Sequence, residues 1–440
     1  MSLHDLYAEI DMYRRRAKAV RSEAKVARAP RSPGKAPARV AAPARRPLSA
    51  PFYATGEHVL SGEVVSGDFN AATDTLDVNG VPFTYAELVA MGDLFETADE
   101  MLGASKTELQ RLRVLIRAAR KHYAARILGG PAGKNATDAD WQAATGGRYV
   151  RLAKDNFTHF APTNTALTPG ATGSKKHYKQ EWEAYHARAV AVARKGTKDD
   201  VSKALVVNAF ADHFLTDAFS AGHIVSKEDV NTLFRVSVLS GGRISPAGRA
   251  FFEKVAAQSF TGPVKDAFSK YETVRDYLGP IKWNPNIHKT SRFEDLLIGI
   301  MEVEPDIIGK TAVIGAIHDR LNSMKGGLAV VNGRGTKWQL TGDGTLDKKN
   351  LDIMRQAVMQ SIRNVQEAAS TTETMAALSK KVWDYVPQPA PGSVQTIRDL
   401  IHTFTNPARK ELVTATAEMI TQNYQVFLDE LVRRKILKKA

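Results

Sequence analysis

The chain has 440 residues, of which 43% are hydrophobic and 25% charged, so it is a soluble globular type able to bury a large core in one large domain or two ordinary ones. It has no cysteine, which excludes disulfides, thiolate metal sites and a cysteine nucleophile and leaves His, Asp, Glu or water to hold any metal. The net charge of +14 is uneven: residues 1–50 carry 12 Lys and Arg against 4 Asp and Glu, a net +8.

Leu3, Leu6, Tyr7, Ile10 and Tyr13 recur at helical spacing and predict an amphipathic basic helix over 2–26. Residues 29–51 are an Ala/Pro/Arg linker with too little apolar surface to form a core. This arm reads either as a contact for an anionic surface (nucleic acid or phospholipid), a handle for a partner, or a solubilising tail. The start, LHDLYAEIDMYRRR, places its positive charges after the apolar residues and has no continuous apolar core, so no secretory signal peptide is expected. No apolar run approaches the roughly 20 residues needed to span a bilayer. These features suit a protein made in the cytoplasm and exported, as a toxin or effector, by a specialised secretion apparatus.

From residue 51 the pattern predicts an all-α fold, a single multi-helix domain over 51–440 behind the arm. Thr84 and Glu87 form a capping-box signature ahead of the apolar stretch that runs to Leu102. Residues 106–128 predict a long amphipathic helix ending at Gly129–Gly130. Loops are expected over 129–147 and 162–174. Further helices are expected over 176–194, 197–221, 246–260, 263–277, 307–325, 347–378 and 407–437. The one strand signal is a hairpin over 328–342 turning at Gly333–Arg334–Gly335. No internal repeat is evident.

The run HFLTDAFSAGH, residues 213–223, carries the chemistry. His213 and Asp217 are four apart, so on a helix they share a face one turn apart and can grip one ion. Gly222 lets the helix loosen, so that His223 can turn toward the same pocket. Neutral imidazole with carboxylate is the donor set of a hydrolytic zinc site. The spacing and the small, aromatic-flanked residues between resemble the metal helix of the zinc-dependent phospholipase C and single-strand nuclease superfamily.

That resemblance implies a cluster of two or three zinc ions with ligands in a fixed order: a His, an Asp and a His before the central helix, then a His and a carboxylate after it. His58 in GEHVLSGEV, Asp93 in AMGDLFETADEM and His159 in DNFTHFAP stand in the early order, with a long insertion between Asp93 and His159. His318 is the late histidine, and its carboxylate partner is Asp319, Asp343, Glu302 or Glu304. Asp319 is disfavoured for the same ion, because adjacent helical residues point about 100° apart. Asp217 is expected to bridge metals, and Asp93 to bind zinc or orient the attacking water. His186 in WEAYHARA is expected to pack or to support the ligands. His4, His122, His177, His288 and His402 have no supporting context. In the secreted members an N-terminal Trp donates its amine and carbonyl to the cluster; here no Trp precedes His58. No Walker A loop, G-x-S-x-G elbow or dinucleotide fingerprint offers a rival site. The expected activity is hydrolysis of phosphodiesters, phospholipase C-like, with a single-strand nuclease as the alternative and a non-catalytic cargo protein as the reading from another class.

Overall fold

Residues 204–217 are all buried, an apolar and polar stretch with no solvent face, so this helix must lie at the centre of the molecule. The computed structural model describes residues 54–440 except 132, 274–286 and 288. The predicted helix over 2–26 and the linker that follows lie outside the described residues. The described chain is predominantly helical with small two- and three-stranded sheets, as the composition and periodicity predict.

Helix α1 (Thr55–Gly62) is buried along its whole length. A hairpin follows, Thr75–Val78 paired with Val81–Thr84, and it corrects the expectation of a single strand signal. Its turn is Asn79–Gly80 with φ of 50° and 74°, the left-handed pair that such a two-residue turn demands, set between alternating buried and exposed residues. The capping box predicted at Thr84 and Glu87 is present and starts α2 (Tyr85–Val89), which tightens into a 3-10 turn at Ala90–Asp93. The stretch then breaks before α3 (Ala98–Gly103). Helix α4 (Lys106–Leu128) ends at Gly129 in the left-handed region, as expected.

The loop expected over 129–147 instead contains α5 (Asp138–Ala144), begun by a second capping box at Thr137 and Asp140, and α6 (Arg148–Asp155) follows directly. Lys227 holds the end of α6: its Nζ donates to Ala153 O, Lys154 O and Asn156 Oδ1 at 3.3, 3.0 and 2.6 Å. These donations satisfy the last carbonyls of the helix and hold Asn156 at the start of the 3-10 turn Phe157–His159.

Helix α7 (Tyr178–Ala193) packs on the central helix α8 (Lys198–Asp217). Thr197 caps α8 by accepting from Asp200 N, and Asp199 and Asp200 suit its positive end. The helix expected over 197–221 stops at Asp217, and a separate 3-10 turn, Ala221–His223, carries on. Helix α9 (Lys227–Val238), capped by Ser226, was not expected from periodicity. Helices α10 (Pro246–Ser259) and α11 (Pro263–Phe268) follow, the second ending nine residues before the expected 277 and giving way to a strand at Tyr271–Thr273. Helix α12 (Thr290–Val303) was also missed, whereas 307–325 is helical as a π-turn, Gly309–Val313, leading into α13 (Ile314–Asn322).

The predicted hairpin is Leu328–Val331 against Lys337–Leu340, joined by Gln388–Pro389 as a third strand. The expected helix over 347–378 divides into α14 (Lys348–Gln366) and α15 (Met375–Trp383), because Thr374 caps a fresh helix after the Thr/Glu-rich break. Pro391 opens α16 (Pro391–Thr405), and the expected 407–437 helix divides at Asn423 into α17 (Lys410–Gln422) and α18 (Tyr424–Arg433). Among the described residues no helix is long and apolar enough to cross a membrane.

Three elements close on α8 through one buried polar network. The Asp212 carboxylate accepts from Tyr85 Oη at 2.6 Å, Trp182 Nε1 at 2.9 Å and Ser361 Oγ at 2.6 Å. Asn208 donates to Tyr85 Oη and Ser361 Oγ at 2.7 and 2.9 Å, and its Oδ1 lies 2.6 Å from His186 Nδ1. Because both hydroxyls accept from Asn208, both are free to donate to Asp212, and the rotation of α8 about its axis is fixed against α2, α7 and α14.

Candidate metal centre

Fixing α8 aims its C-terminal turn. His213 and Asp217, one turn apart on the buried face, point toward α1, toward the 3-10 turns that bear Asp93, His159 and His223, and toward α13. Gly92 is required there: a Cβ at this position would lie 2.3 Å from the His213 ring.

Among the described residues, three groups have ligand atoms close enough to hold a metal ion: His58, Asp93 and His213; His159, His213 and Asp217; and His223, His318 and Asp343. His213 belongs to the first two, which form one inner cluster. Its Nε2 lies 3.1 Å from His159 Nδ1, 3.3 Å from Asp217 Oδ2 and 3.6 Å from Asp93 Oδ1. His159 Nδ1 lies 3.0 Å from Asp217 Oδ2. A tetrahedral zinc ion with bonds of about 2.0–2.1 Å sets its donor atoms about 3.3–3.4 Å apart, and the three mutual distances among His213 Nε2, His159 Nδ1 and Asp217 Oδ2 lie close to that spacing.

The supporting contacts leave the right ring nitrogens free. His213 Nδ1 donates to Val89 O at 3.1 Å, so Nε2 keeps its lone pair for the cluster. The Thr216 hydroxyl donates to His213 O at 2.8 Å, so it accepts from His58 Nδ1 at 2.7 Å and His58 Nε2 faces inward, 3.8 Å from Asp217 Oδ1. Thr55 Oγ1 donates to Asp93 Oδ2 at 2.8 Å. Asp93 Oδ1 is buried without a hydrogen-bond partner, a costly state that a cation beside it relieves.

The outer group is more open. Side chains of His318 and Asp343 are 18% and 19% exposed, against 0% and 1% for His213 and Asp217. Asp343 Oδ2 lies 2.8 Å from His318 Nε2 and 3.3 Å from His223 Nε2. His223 Nδ1 reaches Asp217 Oδ1 at 3.2 Å, so this imidazole joins the outer group to the inner. Asn322, one turn after His318 on α13, accepts from Ser220 Oγ at 3.1 Å and Gly222 N at 2.5 Å and thereby locks the His223 turn. A Cβ at Gly222 would lie 2.3 Å from the His318 ring, so the glycine serves close approach as well as helix ending. The Phe160 ring, buried, walls this side 4.7 Å from the His223 ring.

Charge divides the two parts. Burial holds the His213 and His58 imidazoles below their ordinary range, neutral as ligands must be. Burial pushes Asp217 up, but His213, His159 and His223 outweigh it and hold the carboxyl well below its usual range. Asp93 is pushed well up by burial and then by Asp217. In the outer group burial opposes the charge of His223, but Asp343 and Asp217 win and raise it to about 10. Burial likewise opposes the charges of His318 and Asp343, but Asp319 and then Asp343 raise the His318 imidazole, and His223 and then His318 hold the Asp343 carboxyl well below its usual range.

The structure therefore brings together His58, Asp93, His159, His213, Asp217, His223 and His318, and it supplies Asp343 as the late carboxylate. Asp319 touches the other nitrogen of His318, at 3.2 Å. Glu302 accepts from Ile244 N, and Glu304 pairs with Arg434, so neither joins a candidate group. His186 is buried, stacked on Trp182 at 4.3 Å and placed in the Asp212 network, a packing role as expected. Sequence reasoning missed Thr55, Thr216 and Asn322; for Asn322 the signal was its position four residues after His318. His4 and His288 lie outside the described residues. Compared with protein families, curated proteins and solved structures, the chain matches none, so the case for the site rests on its own residues.

Proposed function

We propose that the protein is a zinc-dependent phosphodiester hydrolase of the phospholipase C kind. Buried His/Asp groups that can hold metal ions are present; the carrying observation is Asp217, whose two carboxylate oxygens face four imidazoles within 3.8 Å. Zinc bound there would supply Lewis acidity, lowering the pKa of water to about 7 and polarising a phosphoryl oxygen. The chain's part is to place the groups. Asp217 would serve the inner and outer positions through opposite oxygens, Oδ2 toward His159 and His213 and Oδ1 toward His223. Asp93, oriented by Thr55, keeps Oδ1 bare toward the cluster, where it would bind metal or take a proton from water. His318 and Asp343 form the solvent side from which a phosphodiester approaches, and Phe160 excludes water behind His223.

The test is elemental analysis of purified full-length protein, with parallel assays on phosphatidylcholine and single-stranded DNA before and after chelation. Two or three zinc ions per chain and chelator-sensitive release of phosphocholine are expected. Cleavage of DNA alone would move the substrate class to the single-strand nucleases while keeping the metal chemistry. Metal-free protein with full hydrolytic activity would sink the proposal.

A further inference from the structure

A cavity of about 210 Å³ opens between the 3-10 turn Phe157–His159, the loop that precedes α7 and the start of α9; its wall includes Phe157, Ser174, Lys175, Lys176, His177 and Lys227. None of the candidate metal ligands lines it, so its occupancy does not depend on zinc. The volume falls below the roughly 300–1,000 Å³ of pockets that take drug-sized ligands, which selects a small occupant. The wall is rich in cations. Lys175 Nζ lies 4.3 Å and Lys227 Nζ 5.5 Å from the centre of the Phe157 ring, two ammonium groups gathered on one aromatic side chain. Lys176 pairs with Glu181 at 3.2 Å, but among the described residues neither Lys175 nor Lys227 forms an ion pair.

Lys227 is 2% exposed, and its donations to Ala153 O, Lys154 O and Asn156 Oδ1 use three N–H groups, so the side chain is an ammonium. Burial works against that charge and lowers it to about 7, while Asp155, the acid that most favours it, is itself paired with Lys310 at 2.6 Å. A buried cation without a counter-ion is costly, and an anion in the adjoining cavity relieves the cost. Glu228 brings one negative charge to the wall against three lysines, and its Oε2 already accepts from Lys175 N at 2.6 Å. Gly173 permits that close turn, since a Cβ there would lie 2.8 Å from the same oxygen. His177 Nδ1 is a further buried nitrogen with no hydrogen-bond partner. A lysine ammonium recognises phosphate as a point charge. We propose that this cavity binds a phosphate oxyanion, free or carried by a small phosphomonoester, with Lys175 as its direct partner and Lys227 as the fixed charge behind it.

The experiment titrates inorganic phosphate into the full chain by calorimetry, in zinc-loaded and in chelated protein, because a zinc centre could also take the ion. One phosphate should bind in the chelated protein, with an affinity that falls as sodium chloride rises. Lys175→Gln should weaken this binding by roughly 10-fold or more, the worth of one charge-assisted hydrogen bond. Lys254→Gln, the same loss of charge at an exposed position on α10, should leave it at the wild-type value. Lys227→Met should weaken it as well, and because this variant also uncaps α6, its melting curve is read beside its affinity. Lys175, on an exposed loop, carries the decision should Lys227→Met not fold. Phosphocholine that competes with inorganic phosphate would identify a headgroup monoester as an occupant; failure to compete would restrict the cavity to the free ion. Wild-type affinity in Lys175→Gln would overturn the proposal, as would an equal loss in Lys254→Gln. Binding seen only in zinc-loaded protein would overturn it too, by placing the ion at the metal centre.

Discussion

Asp217 is the residue on which the centre turns, and it separates a metal site from a merely buried polar cluster. Asp217→Asn keeps size and hydrogen-bonding capacity but removes the charge that faces four imidazoles. Zinc occupancy should collapse and turnover should fall by orders of magnitude. His186→Gln, in contrast, disturbs the Asn208 network and should alter melting more than zinc content; elemental analysis of both variants decides. Gly92→Ala is a steric probe, since its Cβ would meet the His213 ring at 2.3 Å. Overpacking of this kind costs about 1–3 kcal/mol, and here the displaced ring should also cost zinc affinity. Protons should report the outer group in the metal-free protein. His223 rises from 6.5 to about 10 because Asp343 and Asp217 outweigh its burial. Its contribution to stability is fully present below pH 6.5 and is lost as pH rises through about 10. Melting of the chelated protein should therefore decline over that range, whereas zinc affinity should rise with pH as protons leave the ligands. A flat melting profile in chelated protein would speak against the His223 contacts.

At the scale of elements, α8 is held by its neighbours as much as by its own periodicity. A helix buried on every side has no amphipathic stripe to orient it, so the Asp212 network supplies the orientation through Tyr85 of α2, Trp182 of α7 and Ser361 of α14. Asp212→Asn would turn an amide toward donors that have no other acceptor in the network. The expected loss is roughly 2–4 kcal/mol of stability, with weaker zinc binding because His213 and Asp217 ride on the same helix. Denaturant unfolding measures the first effect and chelator competition the second; a variant within about 0.5 kcal/mol of wild type would show that packing alone orients α8.

At the scale of the molecule, metal and fold should be linked. Ions that bind the folded chain and not the unfolded one stabilise it by about 2.7 kcal/mol at a free concentration 100 times the dissociation constant. Chelation should lower the melting temperature accordingly, and zinc should restore it. The basic residues of the first fifty positions are expected to act on the substrate surface and not on the chemistry. Their deletion should leave turnover of a soluble p-nitrophenyl phosphodiester nearly unchanged while weakening binding to anionic vesicles or DNA and flattening its salt dependence. Loss of zinc and of all turnover on deletion would place the arm within the site.

What the sequence determines by itself is what is local. The spacing of His213, Asp217 and His223 on a helix and turn, the Thr84–Glu87 cap, the span of α4 and the 328–342 hairpin all follow from periodicity and side-chain chemistry within a few residues. The Asn79–Gly80 hairpin carried an equally local signal and was overlooked. Helix α9 carried one too, the Ser226 cap with Glu228 and Asp229 in its first turn, whereas α12 has no side-chain cap to mark its start and the breaks at Thr374 and Asn423 interrupt patterns that read as continuous. Only the tertiary structure decides among Asp343, Asp319, Glu302 and Glu304, because the choice depends on where a Gly-Asp-Gly turn meets α13 across the chain. The same holds for Thr55 and Thr216. A hydroxyl that orients a distant ligand leaves no periodicity behind; its role exists only once long-range packing has brought α1, α8 and the Asp343 turn together.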